Sequence, residues 1–320
     1  MTALVTGAAG FIGSQMVDRL LEREDFVIGT DNLVRGKRKH LLDADRTGRF
    51  VFIEADLSNA EEMHQKLDPV LARRRVDAIW HMAANSDIAA GVADSSIDLR
   101  DTFMTTVNAI DIARRHGIPA LAFASTSAIY GELPGALREE SGPLFPISSY
   151  GAMKLAGEAA LCAALGSFLG RGAIFRFPNV VGPRATHGVI FDLLNKLKKD
   201  AGTLEVLGDG RQCKPYMHTS ELIDALLWIW DNADEKLACY MIAPWDDGAT
   251  VAYIAEQVLK AAKRDSAKIR YTGGHRGWVG DVPSFRYCTE KLARLGWAPG
   301  LTSVAAVERA CEEVARELGF

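Results

Sequence analysis

"ALVTGAAGFIGSQMVDRLL", residues 3–21, carries the fold. A short apolar run meets three glycines, Gly7, Gly10 and Gly13, set at three-residue intervals, and an amphipathic pattern follows over 11–22. This spacing predicts a strand, a tight turn and a helix. Glycines in such a turn let backbone N–H groups approach a pyrophosphate at the positive end of the helix, and the last one lets helix and strand pack closely. A glycine triad alone can be only a turn. The strand before it and the helix after it make it a candidate dinucleotide site, in the form G-x-x-G-x-x-G. Asp31 ends the next apolar run, "FVIGTD", where an acid is expected to hydrogen-bond the adenosine ribose. A carboxylate there repels a 2′-phosphate and favours NAD over NADP, although Arg35 and Lys37 follow closely enough to serve a phosphate. Asp56, in "EADLS", either belongs to the same site or caps the helix after it.

Outward from this stretch, apolar runs alternate with helical patterns. "FVFIEA", a helix over 59–72, "VDAIWHMA", a helix over 95–116, "PALAFAS", a helix over 149–168 and "AIFRFP" follow in turn. Such alternation predicts an α/β fold, a Rossmann-type doubly wound parallel sheet with helices on both faces. The regularity ends near Pro178. Helical patterns at 188–199, 219–232, 250–264 and 302–318 then mix with short strands and Gly/Pro-rich loops at 207–215 and 272–287. We therefore expect a nucleotide-binding domain over 1–178 and a smaller mixed α/β substrate lobe over 179–320, with some of its segments returning to the first domain. The smaller lobe is expected to close over the C-terminal edge of the sheet, where such folds bind ligands.

Composition narrows the function classes. Of the 320 residues 48% are hydrophobic and 24% charged, with a formal net charge of −4, the profile of a globular protein without a general basic field for nucleic acid. The basic cluster "RGKRKH" at 35–40 lacks interleaved aromatic residues and reads as a solvated loop. Five scattered cysteines show no metal-ligand spacing, which predicts a reducing compartment and no bound metal. The N-terminus enters an apolar strand directly, and no apolar run is long enough to span a membrane. A cytoplasmic protein is expected.

Tyr150 and Lys154 stand one helical turn apart in "ISSYGAMKLAGEA", among small residues. Alone, the pair reads as packing. Just upstream, "FASTSAIYG" brings Ser125 and Thr126 to the end of the fifth strand. With "GAAGFIGS", "DNLVRGKRKHL", "EADLS", "HMAA", "RFPNVVGPR", "GDGRQCKPYMH" and "RGWVGDV", the chain resembles the extended short-chain dehydrogenase/reductase family over almost its whole length. Within that family it looks like the nucleotide-sugar epimerases and dehydratases, nearest to the UDP-galactose 4-epimerases.

That resemblance implies NAD as cofactor, held by Gly7, Gly10, Phe11, Ile12, Gly13, Asp31, Asn32, Asp56, Leu57, Ala83, Ala84, Ser125, Tyr150, Lys154 and Pro178. It implies Thr126, Tyr150 and Lys154 as the catalytic group, with the tyrosine ionised by help from the lysine and the oxidised cofactor. His81 is expected to be structural. Ser86, Thr126, Tyr150, Asn179, Val189, Lys214 and Arg276 are implied for the substrate, a nucleotide sugar and most simply a UDP-hexose. Lys214 stands where the family usually has an arginine, so Arg211 or Arg276 is expected to share the diphosphate. Two further departures fall near the sugar: Asp101 in place of a frequent asparagine, and Ser86 where some 4-epimerases carry a lysine. After Thr126 come Ser127 and Ala128, which cannot move a proton as the acidic pair of dehydratases does, so C4 epimerisation is favoured. The alternatives are epimerisation at another carbon, a reductase, a dehydratase, a decarboxylase, or a non-catalytic NAD-binding regulator. The resemblance also implies a homodimer through the 95–116 and 149–168 helices.

Overall fold

A computed structural model describes residues 1–274 and 286–320. Its main sheet contains β1 (Thr2–Thr6), β2 (Phe26–Asp31), β3 (Phe50–Glu54), β4 (Ala78–His81), β5 (Ala120–Thr126) and two later strands, Arg171–Phe177 and Leu237–Met241. From one edge the order is Leu237–Met241, Arg171–Phe177, β5, β4, β1, β2, β3. The pairs β1–β2, β1–β4, β2–β3 and β4–β5 are parallel. Because β1 lies between β2 and β4, the chain winds outward in both directions from it, and a crevice opens at its C-terminal end.

The chain divides into two compact units. One comprises Met1–Ile129, Phe145–Arg176 and Leu226–Tyr240; the other comprises Tyr130–Leu144, Phe177–Ala225 and Met241–Phe320. In the first unit, alternating strand residues face opposite sides. Leu4, Ile28, Ile79, Leu121 and Ile174 pack with Met63 and Leu67 of the Ala60–Leu71 helix and Leu161 of the Ser149–Leu165 helix. Trp80 stacks on Phe175 with ring centroids 6.3 Å apart and lies 5.0 Å from Trp230. The second unit has its own core, in which Leu193, Leu194 and Leu197 of the Val189–Lys199 helix meet Ile254, Val258, Val307 and Val314.

One expected helix is not uniform. The pattern at 95–116 divides into a turn, Ser95–Asp98, a π-helical segment, Leu99–Met104, and an α-helix, Thr105–His116. Here the hydroxyls of Thr105 and Thr106 both donate to the Thr102 carbonyl, at 3.0 and 2.8 Å, and Thr105 also donates to that of Asp101 at 3.1 Å. Side-chain donors compete with the regular backbone ladder at this point, and the helix widens. Among the described residues no helix is long and apolar enough to cross a membrane.

Candidate active site

The glycine turn is fixed by close approach. Gly7 has φ +66°, and a Cβ there would lie 2.9 Å from the backbone nitrogen of Ala83. A Cβ on Gly13 would run into the Gly7 carbonyl. The Phe11–Glu22 helix starts at Gly10 without a side-chain cap, the arrangement in which a helix N-terminus receives an anion. Phe11 and Gly13 are buried and Ile12 half-buried.

Asp31 ends β2 and is 8% exposed. Its Oδ2 accepts from Ala9 N at 3.0 Å and its Oδ1 from Leu33 N at 2.8 Å. Burial raises its carboxyl pKa, and the backbone N–H groups of Leu33, Ala9 and Gly10 oppose that rise. The two oxygens offer about four lone-pair sites between them, and three backbone N–H groups act on them, so a ribose hydroxyl can still donate to the carboxylate. Asn32 beside it is exposed. The basic cluster that follows folds back on the glycine turn: Lys37 N and the ring of the buried His40 both meet the Ala9 carbonyl, at 2.9 and 3.0 Å. Arg35 pairs with Asp87, and Arg38 with Asp45 at 2.8 Å. The half-buried Asp56 accepts from Ser58 N at 2.8 Å, while the cap of the Ala60–Leu71 helix is Asn59. Leu57 beside it is buried.

Tyr150 lies in the first turn of the Ser149–Leu165 helix, which Ser148 caps by accepting from Gly151 N at 3.1 Å. The small residue at 151 matters: a Cβ on Gly151 would lie 2.6 Å from the Ala128 carbonyl. The helix start is thereby pressed against the turn that follows β5. Thr126 occupies the end of β5, half-buried, and accepts from Ala128 N at 3.1 Å. Burial, and after it the Asp98 charge, push the Tyr150 phenol pKa up.

Lys154 is 2% exposed, and its Nζ donates to the Ala124 carbonyl at 2.6 Å. It lies 4.8 Å from the Phe123 ring centroid and 5.9 Å from that of Tyr150. Burial pushes its pKa down to about 7, opposed by Glu158. One carbonyl for three ammonium protons leaves donors for a further polar group. Glu158 is a residue that the sequence reading missed. It accepts from Ser125 Oγ at 2.5 Å and from Arg176 Nε and Nη2 at 2.9 and 2.6 Å. Its signal was available, since it stands one turn beyond Lys154 on the same helix face, but nothing in the sequence identified Arg176 as its partner.

His81 is fully buried between two threonines, its Nδ1 2.8 Å from Thr6 Oγ1 and its Nε2 3.1 Å from Thr106 Oγ1. Thr106 Oγ1 donates to Thr102 O and so accepts from Nε2–H, which leaves Nδ1 to accept from Thr6 Oγ1, itself an acceptor from Ala83 N. Both ring nitrogens are satisfied with the imidazole neutral, and burial and then Lys154 hold its pKa down at about 3. This histidine fixes the β4 loop, in which Ala83, Ala84 and Ser86 are half-buried. Asp101 pairs with Arg100 at 2.7 Å, while Thr102 beside it is buried and accepts from Asn85 N at 3.1 Å.

The remaining candidates belong to the second unit. Pro178 is buried; Asn179, exposed, starts a short strand paired with Tyr216–His218. Val189 is half-buried at the start of its helix, and Lys214 is half-buried in a strand paired with Ala249–Thr250. Arg211 is exposed. Arg276 lies outside the described residues.

A dinucleotide needs amides for its pyrophosphate, an acceptor for one ribose and donors for the other, and these residues offer all three. Residues 3–243 match the NAD dependent epimerase/dehydratase family. The chain belongs to that family. It is accordingly an NAD-dependent enzyme. UDP-glucose 4-epimerase of Mycolicibacterium smegmatis is 32% identical over 231 residues, which cover 71% of this chain and 72% of that protein. A crystal structure of UDP-galactose 4-epimerase superposes with a TM-score of 0.86 at 31% identity, covering 99% of this chain and 100% of that one. Thermus thermophilus UDP-glucose 4-epimerase, solved with NAD, gives 0.84 at 27% identity over 98% of this chain and 99% of that one.

Proposed function

We propose that this enzyme inverts C4 of a UDP-hexose through a transient 4-keto sugar, with Tyr150 as the base. The observation that carries the reading is the packing of the Tyr150 helix against the end of β5, which sets phenol, Thr126 hydroxyl and buried Lys154 on adjoining elements. Tyr150 takes the proton of the sugar 4-hydroxyl and later returns it, while Thr126 orients that hydroxyl. The Lys154 ammonium favours the phenolate and donates to ribose hydroxyls. NAD, when bound, would supply the acceptor and donor for the C4 hydride. Ser127 and Ala128 carry no acid or base for loss of water, which favours plain epimerisation.

Gly7, Gly10, Phe11, Ile12 and Gly13 are assigned to the pyrophosphate. Asp31 and Asn32 take the adenosine ribose, Asp56 and Leu57 the adenine side, and Ala83, Ala84, Ser125 and Pro178 the nicotinamide side. Ser86 is assigned to the sugar, and Asn179, Val189 and Lys214 to the nucleotide. We place the enzyme in the cytoplasm as a homodimer. Support for the dimer comes from an open groove lined by Val107, Ile110 and Arg114 from one helix and Ala160, Ala163 and Ala164 from the other, a mostly apolar face with a charged group at it. Light scattering giving a monomer at working concentration would contradict it. The activity itself is tested by incubating the purified enzyme, without added cofactor, with a panel of nucleotide sugars. UDP-glucose and UDP-galactose should interconvert at constant mass, and a product lacking water or carbon dioxide would overturn the assignment.

A further inference from the structure

Asp98 is a buried ionisable side chain that the steps above leave unused. It ends the Ser95–Asp98 turn, just ahead of the π-helical segment, and is 0% exposed. It packs on Gly91, where any Cβ would overlap its carboxylate. Its Oδ1 accepts from Asn85 Nδ2 at 2.8 Å, and the same amide donates to the Asp87 carbonyl at 2.8 Å. Its carboxylate also meets the hydroxyl of Ser149, the residue before Tyr150. The Ser95–Asp98 turn packs against the Ser149–Leu165 helix, so that Asp98 meets that helix at Ser149, next in sequence to Tyr150. A carboxylate held in an interior by neutral donors alone is costly, and burial raises its pKa, opposed by the hydrogen bonds from Asn85 and Ser149.

The surrounding charges are otherwise compensated. Asp87, from the β4 loop, is paired with Arg35, and Asp101, from the π-helical segment, with Arg100. Glu158, farther along the tyrosine's own helix, is paired with Arg176, and His81, from β4, is neutral. Lys154 is the cation on the tyrosine's helix face. Asp98 has no cationic partner among the described residues.

We propose that Asp98 is a positioning residue of the proton-transfer site, anchoring the Asn85–Asp87 loop through one oxygen and opposing the Tyr150 phenolate by its charge. The proposal rests on the reading of Tyr150 as the base. A base that must return the same proton serves best when neither form is overwhelmingly favoured. Lys154 and a positively charged nicotinamide both draw the tyrosine toward phenolate; Asp98 draws it back.

The pH profile of kcat/KM tests this. Asp98→Asn keeps the shape and an acceptor for Asn85 but removes the charge. The acid limb should then move to lower pH, by about one unit, because losing a like charge eases ionisation of the phenol. Superimposable profiles, or a shift to higher pH, in a folded protein that retains NAD would overturn the proposal. Should Asp98→Asn not fold, Asn85→Ala decides: without that donor Asp98 holds a proton more readily, and the limb again moves down, whereas an unmoved limb overturns the idea. Tyr150→Phe keeps the two readings separate. If it abolishes turnover while the Asp98→Asn profile is unshifted, only the Asp98 proposal falls; if it stays fully active, the tyrosine assignment falls first.

Discussion

Around Asp31 the carboxylate oxygens meet backbone N–H groups of the glycine turn and of the loop after β2, whereas around Tyr150 the buried charged groups are held by side chains and a single carbonyl. Lys154 offers three protons to one carbonyl, and Asp98 is held by the neutral donors of Asn85 and Ser149. The first region is held by backbone shape, so it should respond to bulk and to cofactor identity. The second is governed by charge, so it should respond to protonation and to the loss of single atoms. Both sit at the C-terminal ends of strands in one sheet, the edge at which such folds bind ligands.

The largest expected effect breaks the charge-governed side alone. Tyr150→Phe removes one oxygen and keeps the ring, so turnover should fall ~10²- to 10⁴-fold with little change in melting temperature. Steady-state rates and a thermal scan on the same preparation check this; near-normal turnover would leave the tyrosine a packing residue. Next comes Glu158→Gln, which leaves the buried Arg176 without its anion. Breaking such a pair from one side costs about 3–5 kcal/mol, so chemical denaturation should show a large loss of stability even with NAD bound. A stability loss under about 1 kcal/mol would show the pair to be dispensable.

On the shape-governed side, NAD should bind at least about tenfold more tightly than NADP, because Asp31 opposes a 2′-phosphate. Arg35, being paired with Asp87, is committed elsewhere. Calorimetry giving equal affinities would mean that the carboxylate does not face the ribose. The smallest effect is expected at Asp56, which holds only the Ser58 turn while Asn59 caps the helix. Asp56→Ala should lower NAD affinity by a few-fold at most, read by the same titration. A loss as large as that from Asp31→Ala would give the two acids equal roles.

The difference between the regions is also a difference in legibility. The glycine turn, Asp31 and the alternation of strands and helices were readable because they are local: periodicity and spacing along the chain determine them. Tyr150 and Lys154 were readable as a pair for the same reason, one helical turn being a local distance. Asp98 was not, since its burial comes from Gly91 and the tyrosine helix, both distant in sequence or on other elements. The π-helical segment was hidden as well, because an apolar period over 95–116 does not record hydroxyls competing for a carbonyl. Leu237–Met241 lies beyond the point where the alternation stops, yet it pairs at the sheet edge. Strand partners across such a span leave no pattern in the intervening residues.

The central claim is that C4 is inverted by removal and return of its own hydride within one active site. UDP-galactose carrying deuterium at C4 tests it directly. After conversion by the purified enzyme without added NAD, mass spectrometry should find UDP-glucose with the deuterium retained at C4. Exchange of the label with solvent, or its loss into free reduced cofactor, would contradict the account.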